Sequence, residues 1–175
     1  VLVTAGPTRE PIDAVRFIAN RSSGRMGFAV AGAAAAAGAT VTLIAGPSEQ
    51  PTPPGVERID VETATEMHAA TLERAGDVEL FIAAAAVADY RVAQPADHKV
   101  RKSDAPPTLS LVRNPDIVGD VAALPTAPFT VGFAAETHDV IDHARAKLTA
   151  KGLDMIAANR VGEGLGFEVS DNALD

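Results

Sequence analysis

The chain has 175 residues, 47% of them hydrophobic and 22% charged, which describes a folded globular unit near the size of one ordinary domain. Fifteen basic residues against 23 acidic ones leave a net charge of −8, so no global field favours a polyanion and any anionic ligand needs a local site. Cysteine is absent, which excludes disulfides, thiolate nucleophiles and cysteine-based zinc sites and fits a reducing cytoplasm. Aromatic residues make up only 4%, too few for stacking platforms that bind single-stranded nucleic acid, and no nucleic-acid partner is expected. No apolar run approaches about 18 residues, and Val1 opens a strand-like segment with no charged leader. Neither a membrane span nor a signal peptide is therefore expected.

In chain order, Val1–Ala5 reads as a buried strand stopped by Gly6-Pro7, with a polar stretch following to about Ser23. Gly24–Ala37 reads as a helix closed by Gly38, and Thr40–Ala45 as the next strand. A Pro-rich loop leads to a third strand at Val56–Val61, then to an amphipathic helix over Thr63–Arg74 with Thr63 as its N-cap. Leu80–Ala83 is a fourth strand. Residues 91–107 lack periodicity and read as a long excursion or flap, closed by a short strand at Leu109–Val112. Asn114-Pro115 starts a helix to about Leu124, with Asn114 as cap and Pro115 in the first turn. A strand at Thr130–Phe133, a helix at Val140–Lys151 and a strand at Met155–Ala157 follow, before a Gly-rich end. The alternation predicts an α/β, Rossmann-like fold: a mainly parallel sheet with helices on both faces and a flap after strand four. One domain over residues 1–175 is expected, with its last strand and helix missing.

Ligands of open α/β sheets bind outside the carboxyl ends of the strands. Two of those ends share a pattern of small residues and then an acid: Ala84-Ala85-Ala86 before Asp89, and Ala134-Ala135 before Glu136. The small residues leave room for a ligand against the backbone, with the acids at its rim, although an Ala-rich composition by itself yields such runs. Asn20 to Gly27 enters the first helix, where Ser22, Ser23 and Gly24 form either a phosphate cradle or a plain helix cap. Lysine occurs only four times. Lys147 and Lys151 share one helical face, and Lys99 and Lys102 lie in the flap, so they either clamp a polyphosphate or stand in solvent. Asp89 is placed to meet a metal or a ribose. A three-glycine dinucleotide fingerprint is absent after strand one, and no acid ends strand two. The histidines show no paired ligand spacing, His138 and His143 being five apart, and a metalloenzyme or serine hydrolase is not expected.

Several segments coincide with one family. TAGPTREPID, VRFIANRSSGRMG, PTPPGV, AAAVADYR, HKVRK, NPDIV, VGFAAET and the final SDNALD occur in its order and spacing. The chain resembles the bacterial phosphopantothenate–cysteine ligases, the ligase domain of a bifunctional coenzyme A biosynthesis protein. The resemblance implies CTP-dependent joining of 4'-phosphopantothenate to L-cysteine through an acyl-cytidylate, with release of pyrophosphate and CMP and with Mg²⁺ as cofactor. It implies a nucleotide site made by Ala83, Ala84, Ala85, Asp89, Lys99, Pro115, Asp116, Ile117, Val118, Phe133, Lys147 and Lys151, with Asp89 facing the metal. Asn20 and Lys99 resemble the catalytic residues. On the substrate side, Asn20 would bind the activated acyl group. Arg16, one turn before it if that stretch is helical, would hold phosphopantothenate or the partner loop. Ser22, Ser23 and Gly24 would cradle a phosphate of substrate or of CTP. The family's lysine-rich flap reads Lys99-Val100-Arg101-Lys102 here, one cation having become arginine. A cytoplasmic homodimer is implied, fused in the longer protein to a decarboxylase domain that carries FMN. A non-ligase nucleotide-binding or NAD(P)-dependent reductase module is the competing reading, and a folded but inactive scaffold a third.

Overall fold

The computed structural model describes residues 1–102, 108–136 and 138–160. The C-terminal segment with SDNALD, and the tail expected after it, lie outside the described residues. Strand β1 (Leu2–Ala5) is followed by a short antiparallel hairpin, β2 (Arg9–Pro11) and β3 (Phe17–Ala19), and then by α1 (Arg25–Ala36). Next come β4 (Val41–Ala45), β5 (Val56–Asp60), α2 (Ala64–Ala75) and β6 (Leu80–Ala83). A two-stranded ribbon of β7 (Tyr90–Val92) and β8 (Leu111–Arg113) frames the flap. Helix α3 (Ile117–Ala122), β9 (Phe129–Glu136), α4 (Val140–Lys151) and β10 (Met155–Arg160) complete the described chain.

Six strands form one sheet in the order β10-β9-β6-β1-β4-β5, and every pairing is parallel. Side chains alternate across it, so the sheet buries apolar residues on both faces. Leu2, Ile44 and Phe81 pack with Met67 of α2 and Val121 of α3 on one face. Val3 and Leu43 pack with Phe28 and Ala31 of α1 on the other. Thr130 sits beside Phe81 in the register, which puts Ala134 on the first face; there Ala144 of α4 packs against Ala134 and Ala158. The α/β Rossmann-like arrangement expected from the strand–helix alternation is the observed one, with α1 the one helix on its face among the described residues. Helix α1 lies directly on β1, because a Cβ on Gly27 would fall 2.4 Å from that of Ala5.

Local signals held where the chain satisfies them locally. Thr63 caps α2 in a reciprocal box: its hydroxyl accepts from Glu66 N–H at 3.2 Å, and the Glu66 carboxylate accepts from Thr63 N–H at 3.1 Å. Helix α4 spans the residues expected of it. Four expectations need correction. The polar stretch after β1 contains the β2–β3 hairpin, whose strands are too short to show periodicity. Arg16 and Asn20 flank β3 and are not on a helix. The N-cap of α3 is Asp116, which accepts from Gly119 N–H at 3.2 Å, because the Asn114 amide is drawn away to Ala88 O at 2.8 Å. Neither Ser22 nor Ser23 caps α1; Gly24 does, at a φ of 80° that favours glycine.

Replacing the Thr63 hydroxyl removes one of the two bonds in the box. Thr63→Ala is expected to lower unfolding stability by about 1 kcal/mol, read as a shifted denaturation midpoint at unchanged m-value.

Candidate functional site

A cavity of about 380 Å³ opens at the carboxyl ends of β1, β6 and β9. Its floor is made of small groups, Thr4, Ala83, Ala85 and Gly132, which let a ligand approach the backbone. One wall is the loop after β6, from Val87 to Tyr90; another is the entry to α3, from Asn114 to Val118. Asn114 ties these walls together. Its backbone N–H donates to Asp89 O at 2.8 Å, its amide nitrogen donates to Ala88 O, and its amide oxygen accepts from Arg91 at 3.2 Å.

Lys147 and Lys151 enter the same cavity from α4. Lys147 donates to Phe133 O at 2.6 Å, and Lys151 donates to Asp116 Oδ1 at 2.6 Å. Both ammonium groups are thus held on protein oxygens at the cavity wall. Arg113 also lines the cavity, where reading the sequence alone missed it; a cation directly before Asn114-Pro115 was the available signal. Three cations (Arg113, Lys147, Lys151) face two carboxylates (Asp89, Asp116) there, a local positive balance in a chain of −8.

Of the residues expected to hold nucleotide, Ala83, Ala85, Asp89, Pro115, Asp116, Ile117, Val118, Phe133, Lys147 and Lys151 line this one cavity. Ala84 and Lys99 do not line it, and neither do Arg16, Asn20, Ser22, Ser23 or Gly24. Asn20 stands behind the wall, its amide donating to Val87 O at 3.0 Å. Ser22 and Ser23 accept from the backbone N–H groups of Gly24 and Arg25 at 3.3 and 3.5 Å, while Ser48 donates to Ser23 O at 2.7 Å. Lys99 and Lys102 are exposed on the flap. Glu136 ends β9, and its side chain lies outside the described residues. Strand β1 leads into a hairpin and not directly into α1, so the phosphate turn of a dinucleotide-binding unit has no place to form.

The family model described as the DNA/pantothenate metabolism flavoprotein C-terminal domain matches residues 1–175. The chain belongs to that family. It is 58% identical over 178 residues to the coenzyme A biosynthesis bifunctional protein CoaBC of Vibrio cholerae, covering 99% of this chain and 45% of that protein. It is 52% identical over 179 residues to CoaBC of Escherichia coli, covering 99% and 44%. The chain therefore spans less than half the length of these relatives. Among solved structures, the C-terminal domain of CoaBC superposes with a TM-score of 0.80 at 40% identity, covering 90% of this chain and 75% of that one. Cab2 bound to phosphopantothenate-cysteine shares the fold, with a TM-score of 0.78 at 19% identity. The resemblance drawn from the sequence blocks is thus the right family.

Two further clusters lie outside the cavity of this family member. Asp139, in the left-handed region at φ 47°, turns the chain so that the His138 ring meets the His143 ring edge-on at 5.1 Å. Together with Asp139 they place ligand atoms within 4.8 Å of one another, all exposed, a proximity that the five-residue spacing had argued against. The second cluster is Asp13 with Arg16. The Asp13 side chain is fully buried, and Arg16 is 48% exposed. Hydrogen bonding from the Arg16 guanidinium, helped by backbone N–H groups of Val100, Val15 and Arg16, holds the Asp13 carboxyl well below the usual carboxylate range despite its desolvation. The same contact raises Arg16.

A carboxyl whose pKa is depressed by folding stabilises the native state above its unfolded value, near 3.9, and that contribution fades as pH falls. Asp13→Asn is accordingly expected to lower the melting temperature at pH 7. The gap to the parent chain should narrow below about pH 4, a comparison that two thermal scans make.

Proposed function

We propose that this domain joins 4'-phosphopantothenate to L-cysteine at the expense of CTP, as the ligase half of a bifunctional coenzyme A biosynthesis protein. The observation that carries the reading is the convergence of Lys147 and Lys151 with the small-residue floor in one cavity, on a chain half identical to CoaBC proteins. In this reading the triphosphate lies against the three cations, and the cytosine sits against Phe133 and the Ala83–Ala85 backbone. The phosphopantothenate carboxylate attacks the α-phosphorus, the bond to pyrophosphate breaks, and an acyl-cytidylate results. The cysteine amine then attacks the acyl carbon, loses a proton, and displaces CMP. No enzymic nucleophile takes part. The chain supplies charge neutralisation, and the Asn20 amide supplies a donor for the acyl oxygen.

Mg²⁺ fits the donor set: Asp89 offers an exposed carboxylate at the cavity rim, and Mg²⁺ takes one or two carboxylates with phosphate oxygens and water. Bound there, it would neutralise triphosphate charge. Lys99 would approach the nucleotide from the flap, and Arg16, Ser22, Ser23 and Gly24 would border the phosphopantothenate. We also propose a cytoplasmic homodimer. Val15 and Phe17 of the hairpin and Tyr90, Leu111 and Val112 of the flap ribbon are all exposed, an apolar surface that a second copy would cover. The single domain of residues 1–175, with further chain after it and an FMN-bearing decarboxylase domain before it, completes the proposed organisation.

Pyrophosphate release with 4'-phosphopantothenate and Mg²⁺ should require CTP rather than ATP and should turn over continuously only with cysteine. If ATP serves equally well, the nucleotide assignment is wrong. Asn20→Ala should slow amide formation by about 100- to 1,000-fold if its amide meets the acyl oxygen. Lys151→Ala should weaken CTP binding by about tenfold or more, the effect of losing one charge-assisted bond, as titration calorimetry would show.

A further inference from the structure

Two residues with proposed chemical roles, Asn20 and Lys99, lie outside the cavity on different excursions of the chain. The contacts between those excursions are specific. Ala96 N–H donates to Ile12 O at 3.0 Å. Val100 N–H donates to Asp13 Oδ2 at 3.0 Å, and the Arg16 guanidinium donates to Val100 O at 3.0 Å. The Asp13–Arg16 pair therefore clasps Val100 on both its N–H and its C=O, as a neighbouring strand would. The stretch 96–100 is tied at both ends to the 12–16 turn, with Lys99 next to the second tie.

From this we infer that Asp13, with Arg16, is a positioning residue that locks the Lys99 flap segment onto the Asn20 hairpin, so that the two move as one unit.

The division of labour within Asp13 supports this. Its Oδ1 accepts from Val15 and Arg16 N–H, both at 2.9 Å, which shapes the turn that Ile12 N–H closes on Arg16 O at 2.7 Å. Shaping the turn needs no more than that oxygen. The other oxygen accepts from Arg16 Nε at 3.0 Å, from a second Arg16 nitrogen and from Val100. A buried carboxylate is tolerated only when such donors surround it, and one of these comes from 87 residues away. Val100 is itself exposed at 41%, which makes it a weak apolar anchor for the flap. The polar clasp takes the place of a hydrophobic anchor. At the other end of the hairpin, Asn20 follows β3 directly and bonds to Val87 O on the cavity wall. Arg16 thus joins hairpin to flap while its side chain stays 48% exposed beside the proposed substrate.

The inference rests on the ligase reading for the role of Lys99, but the clasp has its own readout. In the full-length protein that carries this chain, Asp13→Asn should speed amide hydrogen exchange across 96–102 by roughly tenfold or more. Val100→Pro, which removes the donor and leaves Asp13 in place, should do the same over the rest of that stretch and guards against a folding defect of the first variant. Asp13→Asn should also lower kcat for CTP-dependent pyrophosphate release, and should add no further loss when Lys99 is already replaced by alanine. Unchanged exchange over 96–102 overturns the clasp. Losses from Asp13→Asn and Lys99→Ala that multiply overturn the positioning role, since a merely structural defect would act independently of Lys99. A parent protein that releases no pyrophosphate with CTP overturns the ligase reading instead, and exchange still decides the clasp.

Discussion

Three consecutive carbonyls after β6 hold the site together. Ala86 O accepts from Thr8 N–H at 3.3 Å, Val87 O from the Asn20 amide and Ala88 O from the Asn114 amide. The loop that forms the cavity wall is thus a continuation of the sheet, fastened to the end of β1, the hairpin and the entry of α3 in successive residues. Ala84 and Ala86 donate back to Thr4 O and Gly6 O at 3.1 and 2.9 Å, and the buried Thr8 hydroxyl accepts from Ala88 N–H at 3.0 Å. Buried backbone groups must be paired, and here their pairing outside the regular strands determines where the wall stands. The run of alanines is what permits it, because larger side chains would fill the space between the wall and the floor.

The same frame explains how an acidic protein presents a locally cationic cavity. Net charge acts over distances that salt screens, whereas Arg113, Lys147 and Lys151 act within the cavity. Helix α4 starts at the carboxyl end of β9 and runs back along the sheet, so lysines on one of its faces return to Phe133 and to the α3 entry. Asp116 both caps α3 and receives Lys151, which couples the start of one helix to the last turn of another. Holding the two ammonium groups on protein oxygens keeps them in place ahead of any ligand, at the cost of exchanging those bonds when a ligand arrives.

How much of this was legible in the sequence depends on how local each determinant is. The core strands and the bounds of α2 and α4 follow from apolar runs, the Thr63–Glu66 box and glycine punctuation, all of which act within a few residues. Most of the residues that line the cavity were readable too, through the family resemblance and not through spacing, which left Lys147 and Lys151 undecided. The β2–β3 hairpin was not legible. Three-residue strands carry no period, and the turn between them is closed by Asp13, whose partners include a residue in the flap. The α3 cap was misassigned for a related reason: Asn114 has the right chemistry, but a carbonyl 26 residues away takes its amide.

The sequence by itself determined the fold class, the family and the short-range devices that start and stop its elements, because those depend on period, composition and neighbours along the chain. Only the tertiary structure decided which polar groups meet. It brought Arg113 into the cavity, left Asn20 and Lys99 outside it on two excursions bound to each other, and folded His138 back onto His143. Each of those outcomes is a contact between groups far apart in sequence or across a left-handed turn, where hydrogen-bond satisfaction in three dimensions, and not local propensity, selects the partner.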